Sequence, residues 1–310
     1  MRIFVAGASG AIGRQLVPRL VEAGHEVHGM TRSESKRPLL EELGAVPVVA
    51  DALDADQVAG AVATAQPEVI VDQLTAIPES IDMRHIDREF ELTNRLRTEG
   101  TDHLLSAAQA VGVKRFVAQS NAAGYPTSGS AVKGEEEPLA SDPRSPLATN
   151  AAAIRYLEEA VLGAAWTEGI ALRYGWFYGP GTSMAPGKET YEMIRKRKFP
   201  LVGDGGGVWS FVHVADAAEA TVAAVEHGRR GAYNVVDDDP AAVAEWLPEL
   251  SRQLGGKRPR RVPRWLGRLF AGEFAVVMMT ELRGASNAKA KRELAWRPAH
   301  PSWRQGLTAP

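Results

Sequence analysis

Met1-Arg-Ile-Phe-Val-Ala-Gly-Ala-Ser-Gly-Ala-Ile-Gly13 opens the chain, and its reading decides the fold. The apolar run Ile3 to Ala6 predicts a short buried strand. Gly7, Gly10 and Gly13 then punctuate a turn into a helix that runs to about Ala23. Only glycine lets the backbone turn this tightly and come this close to a pyrophosphate, whose charge then rests on the free N–H groups of the helix N-terminus. With a strand before it and a helix after it, the spacing reads as a dinucleotide site rather than a plain structural elbow. Gly7, Ser9, Gly10, Ala11, Ile12 and Gly13 are the residues expected on the pyrophosphate.

Working outward, apolar strand-like runs alternate with helical patterns through the first 175 residues, the signature of a parallel sheet covered on both faces. The strands are expected at Ile3–Ala6, Glu26–Met30, Val46–Ala50, Val69–Gln73, Arg115–Gln119 and Ile170–Tyr174. Gly24, Gly44, Gly112 and Gly169 each follow a helical stretch and are expected as C-terminal caps. The fold class is α/β, a Rossmann-type doubly wound parallel sheet with a smaller C-terminal substrate-binding lobe. Residues 1–175 form the nucleotide domain, 208–236 return to it, and 176–207 with 237–310 form the lobe.

The end of the second strand meets the adenosine ribose. An acidic residue there would bind the 2′-hydroxyl of NAD, whereas this chain has Thr31-Arg32-Ser33 with Lys36 behind, suited to a 2′-phosphate. NADPH is therefore expected over NADH. Asp51 and Ala52 follow the third strand, beside the adenine, and Gln73-Leu74-Thr75 end the fourth, beside the ribose. Asp51-x-x-Asp54-x-Asp56 lacks the glycine and the late glutamate of a calcium loop, and reads as an adenine contact followed by a helix cap.

Composition excludes several classes. With 45% hydrophobic and 24% charged residues and a formal charge of −2, the chain gives no reason to expect nucleic acid or an anionic membrane as partner. Cysteine is absent, which removes disulfides, thiolate ligands and a cysteine nucleophile. The seven histidines show no metal-ligand spacing, so no metal is expected. Arg2 is followed by only four apolar residues before Gly7, too few for a signal-peptide core, and Arg268 and Glu273 interrupt the apolar segment Trp265–Met279. A cytoplasmic location follows as the expectation.

The chain resembles the extended short-chain dehydrogenases/reductases, the NAD-dependent epimerase/dehydratase-like proteins, over nearly its whole length. The resemblance rests on Gly7-Ala-Ser-Gly-Ala-Ile-Gly13, Gly100-Thr-Asp-His-Leu-Leu-Ser-Ala-Ala108 running into Gly112-Val-Lys-Arg-Phe-Val117, Tyr178-Gly-Pro180, Phe211-Val-His-Val-Ala-Asp216, Tyr233-Asn-Val235 and Leu294-Ala-Trp-Arg-Pro298. It implies dimerisation in some members, so a monomer or a homodimer is expected. It also implies that Tyr174, Gly175 and Phe177, in the loop after the sixth strand, pass the nicotinamide.

Departures from the family carry as much information. Members hold a catalytic Tyr-x-x-x-Lys on the helix after the fifth strand, where the tyrosine moves a proton and the lysine holds the ribose. Here Leu147 and Ala151 stand at those positions, and none of the six tyrosines is followed four residues on by lysine. The family's serine or threonine after the fifth strand is half kept, as Ser120 or Asn121, and these two are the candidate catalytic residues for polarising a substrate carbonyl. The asparagine usual three residues before Gly100-Thr101 is Arg97, with Asn94 one turn earlier. The arginine that clamps a sugar-nucleotide diphosphate, seven residues before Asp216, is Trp209.

Trp176, Tyr178, Met184 and Trp209 are the expected substrate contacts, with Phe199, Met278 and Met279 extending an apolar lining. A planar hydrophobic aromatic substrate follows, and with it an NADPH-dependent ketoreductase whose polycyclic, polyketide-like substrate supplies the missing proton from its own phenol. In this the chain is similar to the angucyclinone ketoreductases of the family. Loss of Tyr and Lys together also suits a redox sensor that binds NADP(H) without chemistry. A sugar-nucleotide epimerase or dehydratase, lacking both the acid/base pair and the arginine, ranks third. Lys257–Arg264 reads as a basic surface connector, and Asp237-Asp-Asp239 before Pro240 as a helix start.

Overall fold

The computed structural model describes residues 1–78 and 80–306; residues 307–310, the end of the expected lobe, lie outside them. Nine strands and seven helices place the site: β1 (Arg2–Ala6), α1 (Ala11–Glu22), β2 (Glu26–Thr31), β3 (Val46–Val49), α2 (Ala55–Ala65), β4 (Val69–Asp72), α3 (Thr101–Val111), β5 (Arg115–Asn121), α4 (Ala148–Gly163), β6 (Glu168–Tyr174), β7 (Trp176–Tyr178), β8 (Phe211–His213), α5 (Val214–His227), β9 (Gly231–Val235), α6 (Val243–Gln253) and α7 (Arg264–Thr280). Shorter turns and two-residue strands join them.

Seven of the strands form one parallel sheet in the order β9-β6-β5-β4-β1-β2-β3. Side chains alternate across a strand, so each strand feeds two cores. Ile3, Val5, Val69, Val71 and Val117 pack under Leu16 and Leu20 of α1 and Ala217 and Ala224 of α5. Phe4, Ala6, Ile70, Phe116 and Ala118 pack under Val58 and Val62 of α2, Leu104 and Ala108 of α3 and Leu157 of α4. The strand order reverses between β1 and β4, and in such sheets ligands bind in the crevice beyond the carboxyl ends of the strands at that point.

A third cluster is the core of the lobe. It joins Tyr178, Met184, Phe211, Trp246, Phe274, Val277 and Trp303, and draws in Ile86 from the first half of the chain. The changeover between the lobe and the sheet falls within β8, where Phe211 packs into the lobe and Val212 under the sheet.

Gly24, Gly44 and Gly112 take left-handed conformations at their helix ends, with φ of 83°, 87° and 72°. Gly169 is not a cap but lies inside β6, where a Cβ would stand 2.0 Å from the Val161 carbonyl oxygen of α4. It is glycine because helix and strand backbones touch there. Asp237–Asp239 do not start a helix either, since α6 begins at Val243 with Ala242 as its N-cap and no side-chain cap. They anchor the C-terminal segment instead: the Asp237 carboxylate accepts from Trp303 N at 2.9 Å, and that of Asp239 from Ser302 Oγ at 2.7 Å and Arg304 Nε at 2.9 Å. Asp54 caps α2 as expected, accepting from Asp56 N and Gln57 N. Among the described residues, no helix is long and apolar enough to cross a membrane.

Candidate active site

The glycine turn has the shape that a pyrophosphate requires. A Cβ on Gly7 would lie 2.6 Å from the Gln73 carbonyl oxygen, and one on Gly13 2.3 Å from that of Ala8, so both glycines let backbones touch. A Cβ on Gly10 would lie 3.3 Å from Gly7 O, tighter than an ordinary contact but looser than those two. Gly10 is the N-cap of α1, no side chain caps the helix, and no acidic residue lies in its first turn. The N–H groups there are left to a ligand, which is the donor set a dinucleotide pyrophosphate uses.

Ser9 Oγ and Thr31 Oγ1 lie 3.3 Å apart and tie the glycine turn to the end of β2, where Arg32 is exposed. Asp51 is exposed, with its carboxylate turned onto Leu53 N, and Ala52 is buried beside it. At the end of β4, Gln73 is buried and donates through Nε2 to the Tyr174 hydroxyl at 3.1 Å, which in turn meets Thr221 Oγ1 at 2.6 Å. Leu74 is half-buried and Thr75 exposed on the rim. The neighbouring Asp72 carboxyl, accepting from Leu74 N at 3.0 Å, is pushed up to about 7 by burial. The expected cofactor residues thus lie along the carboxyl ends of neighbouring strands, with Gly175 and Phe177 beyond Tyr174.

Ser120 and Asn121 are separated by the pleat. Ser120 is buried and its hydroxyl donates to Glu158 Oε1 at 2.5 Å. Glu158 is paired through both oxygens with Arg173 at 2.8 and 2.7 Å, and Arg173 donates onward to the Tyr125 hydroxyl at 2.7 Å. That bond commits the hydroxyl proton that Ser120 is expected to offer a carbonyl. Asn121 is half-buried, accepts from Ala123 N at 2.7 Å through Oδ1, and lines a crevice with Gly175, Trp176, Ser210 and Arg283. Its amide N–H groups take no acceptor among the described residues, so of the two Asn121 is the donor available to a ligand.

The positions of the family's tyrosine and lysine are occupied by carbon alone. Leu147 and Ala151 are both buried at the start of α4, Leu147 against the lobe core. Between them, Asn150 accepts from the Arg97 guanidinium. Arg97 sits in a π-turn, Leu96–Gly100, just ahead of α3. The sequence marks it only as a departure from the family, because its neighbours one turn away, Thr93, Asn94 and Thr101, are themselves polar and buried, and no apolar periodicity singles it out.

The aromatic segment divides in the same way. Trp176 is half-buried and stacks on Trp209 with centroids 4.5 Å apart. Trp209 is 8% exposed, donates through Nε1 to Met278 O at 2.8 Å and leans on Trp246 and Phe211, so it is wall rather than lining. The Tyr178 ring is fully buried, edge-on to His213, and Met184, Met278 and Met279 are buried in the lobe core. Of the four expected substrate contacts, only Trp176 opens on the crevice beside Asn121. Sequence could not separate these roles because apolar lining and apolar core use the same side chains.

His213, Asp216 and His300 offer ligand atoms within 4.8 Å of one another. They are already engaged with the fold: the Asp216 carboxylate accepts from Ala299 N, His300 N and His300 Nδ1, and His213 Nδ1 caps α5 by accepting from Ala215 N. The two rings stack at 3.9 Å, and burial lowers the His213 pKa to about 4. The group is a structural clasp between α5 and the C-terminal segment.

A doubly wound sheet with a glycine turn that admits a pyrophosphate and a lobe over the strand ends defines a dinucleotide-dependent enzyme of the α/β class. Residues 3–236 match the NAD dependent epimerase/dehydratase family, and the chain belongs to it. It is an NAD(P)-dependent oxidoreductase. Among its relatives is the 3-diazoavenalumate denitrifying reductase of a Streptomyces species, 44% identical over 99% of each chain. A 4-hydroxy-2-methyl-3-oxo-4-farnesyl-3,4-dihydroquinoline-1-oxide ketoreductase of Stigmatella aurantiaca is 29% identical over 83% of this chain and 74% of its own. In fold, the chain is similar to UDP-glucose 4-epimerase of Thermus thermophilus in complex with NAD. That structure is 26% identical, with a TM-score of 0.74, over 99% of this chain and 96% of the other.

Proposed function

We propose that this protein uses NADPH to reduce a planar aromatic substrate by hydride transfer to which no side chain contributes a proton. The observation that carries the reading is the pair Leu147 and Ala151, buried carbon where the family's acid and its partner stand. A reaction that needs a protein acid would lose roughly 10²–10⁴-fold without one; a reaction that needs none loses nothing. Trp176 offers the substrate a flat face, and Asn121 a hydrogen-bond donor. A bound reduced nicotinamide supplies the hydride.

The 44% identical denitrifying reductase favours an aryl diazo group as the electrophile. The overall change, Ar–N2⁺ + NADPH → Ar–H + N2 + NADP⁺, balances without uptake of a proton, because dinitrogen leaves with the electron pair that bound it and hydride takes its place. The ketoreductase relative supports a second acceptor, a polycyclic ketone whose neighbouring phenol gives the carbonyl oxygen its proton.

The test is NADPH consumption with two panels: hydroxyarenediazonium salts with headspace dinitrogen measured, and polycyclic ketones with the neighbouring phenol free or methylated. One dinitrogen per NADPH establishes the first acceptor. Turnover of the free phenols alone establishes the second. No consumption of NADPH by either panel, alongside tight NADPH binding, discards the reductase reading in favour of a redox sensor.

The cofactor preference rests on Arg32 and Lys36, exposed beyond β2 with no acid at its end. Arg32→Ala is expected to weaken NADPH binding by about tenfold, the worth of one charge-assisted phosphate contact, and to leave NADH binding unchanged. Fluorescence titrations with both cofactors measure it; equal loss for the two would discard the 2′-phosphate assignment.

A further inference from the structure

Arg97 is 5% exposed, and no carboxylate lies on it. Among the described residues its partners are two amide oxygens, Asn94 Oδ1 at 3.3 Å and Asn150 Oδ1, and both are reached by the same nitrogen, Nη1. Nε and Nη2 have no acceptor among the described residues and are not sealed off, for neither is a fully buried unpartnered atom. Both free donors therefore keep some accessible surface. Burial lowers its pKa to about 10, which leaves it a cation at neutral pH.

An unpaired buried charge is costly, and a protein that keeps one has commonly arranged for a ligand to neutralise it. The guanidinium is fastened to Asn150, the residue before Ala151 and three after Leu147. It is thereby held to the helix turn that carries the two positions at which family members hold their tyrosine hydroxyl and lysine ammonium, and it reaches that turn from the π-turn at Leu96–Gly100 rather than from α4. A planar fork of N–H donors suits an oxygen that carries, or gains, negative charge.

We infer that Arg97 is the substrate's oxyanion-binding residue in this chain. Its free donors take the phenolate beside a diazo group, or the oxygen that becomes alkoxide when a ketone accepts hydride. The assignment rests on the proposed reading that an aromatic substrate occupies this cleft, and it explains how the site handles oxygen charge without a protein acid.

The probe is 4-nitrophenolate, which carries neither a diazo group nor a ketone. Its absorption shift is titrated against the NADPH-loaded protein at a pH where it is ionised, with uncharged 4-nitroanisole as competitor. Wild type is expected to bind the phenolate at least about tenfold more tightly than the anisole. Arg97→Gln should abolish that difference and leave the Kd for NADPH unchanged, while Arg97→Lys should keep part of it. Equal binding of phenolate and anisole by wild type, or an undiminished preference in Arg97→Gln, overturns the inference. Because the probe is not reduced, phenolate binding through Arg97 with no turnover of either substrate panel would leave this assignment standing and remove the reductase reading.

Discussion

Glu158→Gln is expected to destabilise the protein by about 3–5 kcal/mol, the range for breaking a buried ion pair from one side. Glu158 and Arg173 are 4% and 5% exposed, and their fork-to-fork contact at 2.7 to 2.8 Å joins α4 to β6 in the middle of the domain. Glutamine keeps the shape and one acceptor, but it removes the charge that offsets the guanidinium, whose remaining contacts are the Tyr125 hydroxyl and the face of its ring. In a chain of 310 residues this lowers Tm by roughly 5–8 °C. Thermal unfolding followed by circular dichroism measures it. The double variant Glu158→Gln/Arg173→Gln should recover part of the loss, because it leaves no unpaired charge; a single variant as stable as wild type would show that the pair carries no net energy.

The second large effect is at the glycine turn, where Gly13→Ala is expected to damage both folding and binding. The added Cβ would stand 2.3 Å from Ala8 O and 2.5 Å from Ala8 C, and neither is a flexible side-chain end that can move aside. Relief requires α1 to shift off the turn, at about 1–3 kcal/mol for an overpacked contact of this kind. The shift carries the first-turn N–H groups with it, so NADPH affinity should fall by at least about tenfold. Gly10→Ala separates the two effects in degree: its Cβ would lie 3.3 Å from the Gly7 carbonyl oxygen, a tight contact but a looser one than at Gly13, so it should cost less stability while binding still falls. Equal stability and equal NADPH affinity in Gly13→Ala would refute the close-approach account of this turn.

Ser120 and Arg97 show how tertiary contacts reassigned roles within a familiar frame. Ser120 carries the hydroxyl that a family comparison favours, yet Glu158, on the helix that follows, holds it. Arg97 stands where an asparagine is usual, and only its seat against Asn150 turns an anomaly into a candidate binding group.

The sequence by itself determined the parallel sheet, the glycine turn, the helix caps at Gly24, Gly44 and Gly112, and the absence of the Tyr-x-x-x-Lys pair. These are local matters: alternation of apolar residues, the steric freedom of glycine, and the identity of single positions, all of which act within a few residues. Only the tertiary structure decided that Gly169 is a strand residue pressed on α4, that Asp237–Asp239 fasten the C-terminus, that Tyr178 and Trp209 are core, and that Asn121 rather than Ser120 faces the crevice. Each of these depends on which groups meet across the fold. Ser120 and Glu158 are 38 positions apart and Arg97 and Asn150 are 53 apart, and no periodicity or spacing reports a partner at that distance.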